Sequence, residues 1–420
     1  MTRDETILYV GAYLPRLSET FVYREVLELI KNGWTVHTAS LHEPDAFDER
    51  EATPRRMAEA TTVVYGGWGK LLSDAGAEWF ARPARSTATL LLAIKDACRE
   101  RDLAFAKRIV LPGQALAALA LARRTRSKNI RHIHAHMAHA PTTIAMYTAR
   151  QLGVSFSFTG HAADLFRDRA LLTRKLKRAA FTACISEWHR VFYQSIASRP
   201  EDAYPVVRCG VDLDDFSPEP KTTENNPALI LGAGRLVAKK GFDILLEALQ
   251  RLREKDIPFL CTIAGGGEEM EPLQALCDKL GLSSSVEFAG PKPNHEINAM
   301  MKRSDLFVLP CRVAASGDKD GIPVVLMEAM ACEVCVVSGD LPTIRELVKE
   351  RETGFLVPPG DADALAASME TLLKDRVLRQ RVAHNGRGWV AEEFASDKNA
   401  ARLTKAFENV GNRHGGSRNE

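Results

Sequence analysis

The segment Ala228-Leu-Ile-Leu-Gly-Ala-Gly-Arg-Leu-Val-Ala-Lys-Lys-Gly241 joins a strand to a helix through glycines and cations. Its apolar start is typical of a strand that is buried on both faces. Arg235 and Lys240 then supply a planar fork and a compact charge, and both suit phosphate oxygens. Gly232 and Gly234 do not complete the G-x-G-x-x-G spacing of dinucleotide-binding proteins, because the third glycine is out of register. The segment therefore predicts a basic phosphate site where a strand of an α/β fold ends.

The rest of the chain alternates strand-like apolar runs with amphipathic helical stretches. Such alternation predicts right-handed βαβ units and parallel sheets. We expect two Rossmann-like doubly wound domains facing each other across a cleft, because ligands of such sheets bind beyond the carboxyl ends of the strands. The runs that predict strands are Ile7–Val10, Val36–Ala39, Ile130–Ala135, Val154–Phe158, Phe181–Ile185, Ala228–Leu231, Phe259–Ala264, Val286–Phe288, Leu306–Leu309 and Val334–Val337.

A polar, proline-rich stretch without periodicity, residues 217–227, predicts the linker between the two domains. The first domain then covers residues 1–216, with a mostly helical extension at about 43–128 that is rich in Ala, Leu and Arg. The second covers residues 228–395. We expect a C-terminal helix, 396–410, to pack back on the first domain, and residues 411–420 to form a disordered tail.

Composition narrows the class of protein. The chain has 420 residues, 45% of them hydrophobic and 26% charged, and a net charge of +2, which gives no general attraction for nucleic acid. The start lacks the apolar run of a signal peptide, and no stretch approaches the roughly 20 apolar residues that span a bilayer. The eight cysteines are scattered, which favours a reducing cytoplasm. Peripheral contact with the inner membrane face stays open, because the basic run Arg123 to Arg131 could touch anionic lipid.

A second informative stretch runs from Asp318 to Ala331 and predicts a polar loop that leads into a helix starting near Pro323. Gly321 lets the backbone approach a ligand closely. The free N–H groups and the positive dipole end of the helix suit an anion. Glu328, one to two turns later, could accept two sugar hydroxyls.

Two patterns suggest a metal, and we expect neither to bind one. Asp318-Lys-Asp320 spells D-x-D, whose carboxylates hold divalent cations in other transferases. Arg235 and Lys240 already supply positive charge for phosphate groups, so metal dependence is not expected. His132, His134 and His136 would share one face of a strand, yet no acidic or cysteine partner is in register. We expect them to pack at the strand end and contact the acceptor, and we expect no cofactor apart from the sugar donor.

These segments, taken in order, resemble the retaining GT-B glycosyltransferases of family 4, and in particular the bacterial exopolysaccharide branch. The resemblance covers most of the chain. It is carried by Ser18-Glu-Thr-Phe-Val, His134-Ala-His136, Thr159-Gly-His161-Ala-Ala-Asp164, Cys184-Ile-Ser-Glu187, Cys209 to Phe216, Gly234 to Gly241, Ala264-Gly-Gly-Gly267, Leu309-Pro310, Asp320 to Ala331 and Thr353 to Asp361.

The resemblance implies a role for particular residues. Arg235 and Lys240 would bind the donor diphosphate and, with His161 and Asp320, would act on the reacting groups. Glu328 would hold the ribose. The residues implied on the donor side are Gly11, Gly234, Arg235, Lys240, Gly321, Ile322, Pro323, Val324 and Glu328, and those on the acceptor side are Ser18, Glu19, His136 and Asp164.

The implied function is transfer of a hexose from a UDP- or GDP-sugar to a glycan, lipid-linked or small-molecule acceptor, with retention of anomeric configuration. One departure from the family pattern bears on it. The family has two glutamates with seven residues between them, and the first is Asp320 in this chain. A catalytically silent GT-B protein that binds nucleotide sugar, or another GT-B enzyme such as a nucleotide-sugar epimerase, is therefore the alternative. An NAD-dependent oxidoreductase is disfavoured by the glycine register.

Overall fold

The computed structural model describes residues 5–16, 19–47, 52–100, 103–161, 169–219 and 225–415, with side chains as far as Val410. The chain forms two compact units. The first comprises Met1–Cys209 with Asn399–Glu420, and the second comprises Gly210–Lys398. The second unit thus begins before the linker predicted at residues 217–227, of which residues 220–224 lie outside the described residues.

The first unit has six described strands, β1 (Thr6–Gly11), β2 (Thr35–Ser40), β3 (Thr62–Val63), β4 (Ile130–His136), β5 (Ser155–Gly160) and β6 (Thr182–Cys184). They form one parallel sheet in the order β3-β2-β1-β4-β5-β6. This is the doubly wound order in which the crossovers reverse direction between β1 and β4. The predicted Rossmann-like architecture is confirmed for this unit, and the short edge strand β3 is an addition.

The helices of the first unit surround this sheet. They are α1 (Thr20–Lys31), α2 (Ala52–Ala60), α3 (Trp68–Ala81), α4 (Pro83–Arg99), α5 (Phe105–Thr125), α6 (Ala140–Leu152), α7 (Leu172–Arg178) and α8 (Glu187–Ile196). The predicted extension at 43–128 is mostly helical, as α2 to α5 show. It also supplies β3, whose two residues are too few to produce an alternating pattern.

Helix α5 is the one described helix long and apolar enough to cross a membrane, counted as Phe105–Lys128 with a mean hydropathy of 1.3. This corrects the expectation that no stretch qualifies. Its C-terminal half is alanine-rich, and the run from Ala117 to Ala122 is buried. Small side chains let neighbouring helices approach closely, so this half belongs to the core of the unit. The residues before Leu111 are largely exposed.

A last helix, α15 (Ser396–Gly415), returns to the first unit from Asn399 onward. The indole N–H of Trp34 donates to the hydroxyl of Thr404 at 3.2 Å, and the Phe407 ring lies 5.6 Å from the Phe181 ring. Apolar burial and buried hydrogen bonds, among them the one from Trp34, therefore hold the helix against the first unit. It extends five residues into the tail that we expected to be disordered, and residues 416–420 lie outside the described residues.

Six strands are described in the second unit as well, β7 (Ala228–Ala233), β8 (Phe259–Ala264), β9 (Val286–Gly290), β10 (Leu306–Leu309), β11 (Cys335–Gly339) and β12 (Phe355–Val357). Its parallel sheet has the order β12-β11-β10-β7-β8-β9, which is the same doubly wound pattern with the reversal between β7 and β10. The helices are α9 (Phe242–Glu254), α10 (Met270–Lys279), α11 (Asn294–Arg303), α12 (Val324–Ala331), α13 (Ala362–Lys374) and α14 (Arg376–Glu393).

Cys332 and Cys335 are spaced as C-x-x-C, and the structure places them at a helix end and at the start of a buried strand. Cys332 caps α12 and Cys335 begins β11, and both thiols are free and buried. Burial raises the pKa of each to about 12, which keeps the thiol protonated and inert.

Candidate functional site

The strongest cluster of charges in the second unit forms where β7 and β10 end. After β7, a short 3₁₀ turn (Ala238–Lys240) brings two adjacent lysines inward, and both are buried. The Nζ of Lys240 lies 2.9 Å from Oδ2 of Asp320, and the Nζ of Lys239 lies 3.5 Å from Oδ1 of the same carboxylate. Gly234 lies against this pair, since a β-carbon there would be 3.7 Å from Cε of Lys240. The tertiary structure therefore brings together Gly234, Lys240 and Asp320, three of the residues that the resemblance implied for the site.

The pair titrates as a buried ion pair. Burial by itself lowers the pKa of Lys240, but the charge of Asp320 and the neighbouring Cys311 outweigh it and raise that pKa. Burial by itself raises the pKa of Asp320, and the ammonium groups of Lys240 and Lys239 outweigh it, so that pKa is lowered. Both groups are consequently charged across the physiological range. A buried ammonium that stays charged is chemically able to bind a phosphate oxygen.

Arg235 lies in the same segment but is exposed. Its positive charge is close enough to lower the pKa of Lys240, although it is the smallest of the contributions. The inward cations in the structure are thus Lys239 and Lys240. The sequence identified Lys240 and Arg235, and it gave no reason to choose Lys239, because adjacent lysines are usually solvated.

The loop between β10 and α12 carries the other predicted donor residues. The Thr343 hydroxyl donates to the carbonyl of Asp320 at 3.2 Å and so fixes the loop before Gly321. Ile322 is buried, and the next two residues, Pro323 and Val324, are the N-cap and the first residue of α12. Their position leaves the first backbone N–H groups of the helix available to an anion.

Glu328 occupies the second turn of α12 and is buried. A carboxylate held on a helix within a doubly wound domain is well placed to accept hydrogen bonds from hydroxyl groups. Its predicted position one to two turns after the loop is confirmed. The ribose role stays a prediction.

The two carboxylates of the D-x-D sequence form three ion pairs with Lys239 and Lys240. Oδ2 of Asp318 lies 3.2 Å from Nζ of Lys239, and Asp320 contacts both lysines. The two carboxylates are therefore already neutralised by ammonium groups of the protein.

The first unit carries a buried file of imidazoles and hydroxyls between β4 and β5. His132 faces Ser155 and Ser157, and its two ring nitrogens lie 2.7 Å from their hydroxyl oxygens. His134 continues the file with contacts of 2.7 Å to Ser157 and 3.0 Å to Thr159. The expected sharing of one strand face is confirmed. Burial, followed by the charges of the other histidines, lowers the pKa of His134 well below 6.5, so its ring is neutral at neutral pH.

At the carboxyl end of this file lies a second group. In His136, the ring nitrogen Nδ1 lies 3.1 Å from Nε2 of His161. The Nε2 of His136 lies 3.0 Å from Oε1 of Glu25 on α1 and 2.9 Å from the Tyr9 hydroxyl on β1. Glu25 corrects the expectation that these histidines have no acidic partner. The sequence does not indicate this contact or the one to Tyr9, because both depend on how α1 and β1 pack against β4. The predicted placement of His161 directly after β5 is confirmed.

The ligand atoms of Glu25, His134 and His136 all lie within 4.8 Å of one another, a spacing that a metal ion could bridge. The oxygen of Glu25 and the ring nitrogens of both histidines are each already within hydrogen-bond distance of a protein partner. The arrangement is explained by these hydrogen bonds.

The remaining predicted residues of the first unit are divided between described and undescribed positions. Gly11 ends β1, and a β-carbon there would lie 3.0 Å from Cβ of Leu14 in the turn that follows. Glu19 is the N-cap residue of α1, and its carboxylate lies 2.8 Å from Nη1 of Arg16. Ser18 and Asp164 lie outside the described residues.

The sequence comparisons with known proteins identify sugar transferases. Residues 214–389 match the family described as glycosyl transferases group 1. The chain is 35% identical over 195 residues to the amylovoran biosynthesis glycosyltransferase AmsK of Erwinia amylovora, covering 46% of this chain and 48% of that one. It is 33% identical over 281 residues to a GDP-mannose-dependent alpha-(1-6)-phosphatidylinositol monomannoside mannosyltransferase of Mycobacterium tuberculosis, covering 63% of this chain and 73% of that one. The chain spans about half the length of the exopolysaccharide relatives that it matches.

The fold has solved counterparts. HepE of Anabaena, whose structure was determined in complex with UDP, has a TM-score of 0.69 to this chain at 15% sequence identity, covering 96% of this chain and 100% of that one. At this identity the likeness establishes the fold alone.

Proposed function

The chain belongs to the group 1 glycosyl transferases, with the GT-B type of fold, and on that premise we propose that it transfers a hexose from a UDP- or GDP-sugar to a glycan or lipid-linked acceptor. A nucleotide-sugar donor is supported by the relative that is GDP-mannose-dependent. A UDP-sugar is the second candidate, because the solved HepE structure, which shares the fold, contains UDP. The relatives in amylovoran and phosphatidylinositol mannoside synthesis support a glycan or lipid-linked acceptor.

One observation carries the proposal, the buried Lys240 beside Asp320 at the end of β7. In the proposed reaction the bond between the anomeric carbon and the diphosphate oxygen breaks, and the diphosphate leaves with the electron pair. The acceptor hydroxyl forms the new bond on the same face of the sugar and gives up its proton to a phosphate oxygen, so configuration is retained. Lys240, Arg235 and the start of α12 would stabilise the charge that develops on the diphosphate.

The proposal includes independence from divalent metal. It is supported by Asp318 and Asp320, whose carboxylates are occupied by Lys239 and Lys240. Transfer measured with excess EDTA should equal transfer without it. Activity that is lost with EDTA and restored by Mn²⁺ would contradict this part of the proposal.

Two measurements test the function. Thermal-shift screening against UDP-, GDP- and other nucleotide sugars identifies the donor, because a ligand that binds only the folded protein raises its stability. NMR of the transferred sugar then gives the anomeric configuration. Binding without transfer or hydrolysis would favour a silent nucleotide-sugar-binding protein, and interconversion of donor sugars would favour an epimerase.

We further propose that the protein works in the cytoplasm in contact with anionic lipid. All eight cysteines are free, which fits a reducing compartment. The run from Arg123 to Arg131 supports lipid contact less than its sequence indicates, because Arg124 and Arg126 form ion pairs with Asp74 and Glu78.

Helices α3 to α5 supply a better lipid-binding surface. On α5, Phe105 and Ile109 lie one turn apart and are 75% and 61% exposed. Among the described residues of the three helices, the exposed charged side chains are basic, whereas the acidic ones are buried or paired. Exposed apolar groups mixed with basic ones suit a membrane surface of negative charge. The other large exposed apolar side chains are Trp68, Leu72, Trp79, Phe80, Leu91, Ile94 and Val110, and the exposed basic ones include Lys70, Lys95, Arg99 and Lys107.

Liposome flotation tests this surface. We expect the protein to float with phosphatidylglycerol vesicles at low salt and not with phosphatidylcholine vesicles. Phe105→Glu with Ile109→Glu should abolish flotation, whereas Val377→Glu, at an equally exposed apolar position on α14, should not. Absence of flotation at low salt would dismiss the membrane contact.

A further inference from the structure

A carboxylate and two imidazoles form a hydrogen-bonded series at the carboxyl ends of β1, β4 and β5. Oε1 of Glu25 lies 3.0 Å from Nε2 of His136, and Nδ1 of His136 lies 3.1 Å from Nε2 of His161. The Tyr9 hydroxyl donates to the same oxygen of Glu25. His136 and His161 are both buried. The series therefore runs from α1 to the residue that directly follows β5.

The direction of these hydrogen bonds follows from the chemistry of their ends. A carboxylate has no hydrogen to donate, so the hydrogen between Glu25 and His136 belongs to Nε2 of the imidazole. If the His136 ring is neutral, it carries this single hydrogen and its Nδ1 is an acceptor. His161 must supply the hydrogen in the next contact from its own Nε2. The unprotonated nitrogen of His161 is consequently Nδ1.

The other two histidines of the file, His132 and His134, have no neighbour that determines which ring nitrogen carries the hydrogen. His132 and His134 contact the hydroxyls of Ser155, Ser157 and Thr159, which can donate or accept. Either tautomer of these two rings therefore satisfies its neighbours. The carboxylate of Glu25 imposes a direction on His136 and, through it, on His161.

We propose that Glu25 and His136 are positioning residues that hold His161 as the neutral Nε2–H tautomer, and that this form of the ring serves sugar transfer. The part that concerns the sugar rests on the proposed function. The tautomer itself does not, because it follows from contacts within the first unit.

A neutral ring at this place suits glycosyl transfer. Positive charge develops on the sugar ring in the transition state for breaking a glycosidic bond, and an imidazolium nearby would oppose it. Burial first, and then the charges of His136, His189 and His139, lowers the pKa of His161 well below 6.5 and supports the neutral form. Among the described residues, the titratable groups that face the series include Glu25 on α1, Tyr9 on β1, and His134 and His136 on β4; the others are His139, His189 and Cys209.

Nitrogen NMR of the full chain with ¹³C,¹⁵N-labelled histidine tests the proposal directly. Each of the eleven histidines is assigned by substitution with Gln. We expect His136 and His161 to show a protonated Nε2 and an unprotonated Nδ1 at pH 7. An Nδ1–H tautomer or an imidazolium at His161 would overturn the proposal, as would one equivalent of zinc retained after purification, because His136 Nε2 would then be a metal ligand.

The variant Glu25→Gln tests whether Glu25 determines which ring nitrogens of His136 and His161 carry a hydrogen. An amide can donate as well as accept, so His136 and His161 should become a mixture of tautomers, whereas those of His132 and His134 should not change and report an intact sheet. Glu28→Gln, on the same helix and paired with Lys31 at 3.4 Å, is the matched control. A single unchanged tautomer at His161 in Glu25→Gln would contradict the role of Glu25.

Kinetics separate this inference from the proposed function. If the protein transfers sugar, Glu25→Gln should lower kcat/KM by about tenfold, the effect of misorienting one hydrogen bond, while Glu28→Gln leaves it unchanged. If the wild-type protein shows the predicted tautomers but has no transferase activity, the proposed function is wrong. The positioning role of Glu25 and His136 would still stand.

Discussion

The ammonium of Lys240 lies 2.9 Å from the carboxylate of Asp320, although the two residues lie on different loops of the second unit. The loops meet because β7 and β10 are neighbours in the sheet, and their carboxyl ends therefore lie side by side. In the proposed reaction this ammonium binds the donor diphosphate. Asp320 keeps the ammonium charged and would lie beside the bound phosphate. The family glutamate is replaced here by the shorter aspartate, and Lys239 adds a second cation to the same carboxylate.

Lys240→Ala should lower transfer by on the order of a hundredfold or more, because a fixed charge that opposes the leaving diphosphate is lost. The fold should survive, since Lys239 still neutralises Asp320. Turnover is measured with saturating donor, and circular dichroism checks the fold. Lys279→Ala, at an exposed lysine on α10, is the control and should leave turnover unchanged. Normal turnover in Lys240→Ala would mean that the phosphate site lies elsewhere.

Glu328→Gln should weaken binding of UDP or GDP by about tenfold, because hydrogen bonds to a charged acceptor exceed those to a neutral one. Isothermal titration calorimetry gives the dissociation constant. Glu333→Gln, beyond the end of α12, removes a partly exposed carboxylate that pairs with His384 and should have no effect. Equal dissociation constants for Glu328→Gln and the wild type would rule out the ribose role.

Gly241→Ala should destabilise the second unit and disturb the lysine turn. Gly241 has a φ of +71°, and a β-carbon there would lie 2.2 Å from the carbonyl oxygen of Pro310. Gly290→Ala is a matched control, because its φ is +69° but no atom lies within 4 Å of the added carbon. The difference in melting temperature between the two variants isolates the close approach of the loops. Equal melting temperatures would show that the backbone conformation alone matters.

Lys175→Met should lower the free energy of unfolding by about 3 kcal/mol, the typical effect of breaking a buried charged network. Its ammonium donates to the carbonyl of Ala138, to that of His139 at 3.0 Å and to that of Ala170 at 2.8 Å, and these acceptors would lose their donor. Lys177→Met, at an exposed position of the same helix, is the comparison. Urea unfolding gives both values, and similar losses in the two variants would refute the role of the ammonium.

Acid should destabilise the first unit through His134. The pKa of His134 in the folded protein is lowered well below the 6.5 of an exposed imidazole, chiefly by burial. Below pH 6.5 the unfolded chain therefore binds a proton that the folded chain does not, and the free energy of unfolding falls as pH falls. This group contributes a slope of at most about 1.4 kcal/mol per pH unit. His134→Gln should flatten the dependence between pH 6.5 and 5, whereas His42→Gln, at an exposed position, should not. Parallel curves for His134→Gln and the wild type would contradict the assignment.

The alternation of apolar runs and helical stretches was enough to predict two doubly wound sheets. It was also enough to place the phosphate segment after β7, because a strand, its glycines and its cations are neighbours in sequence. The edge strands β3 and β12 were missed, since strands of two and three residues carry no periodic signal. Helix α5 showed its membrane-like length only once its two halves proved to be one helix.

Only the tertiary structure decided which side chains meet. His136 and Glu25 are 111 residues apart, and the phase of α1 against the sheet brings the carboxylate to the imidazole. Lys239, which is as polar as any surface lysine in the sequence, is buried because the turn after β7 directs it toward Asp318 and Asp320. Local sequence fixes strands, helices and glycine turns through short-range sterics and periodicity. Hydrogen bonds and ion pairs between distant segments depend on sheet order and helix rotation, which the packing of the whole core determines.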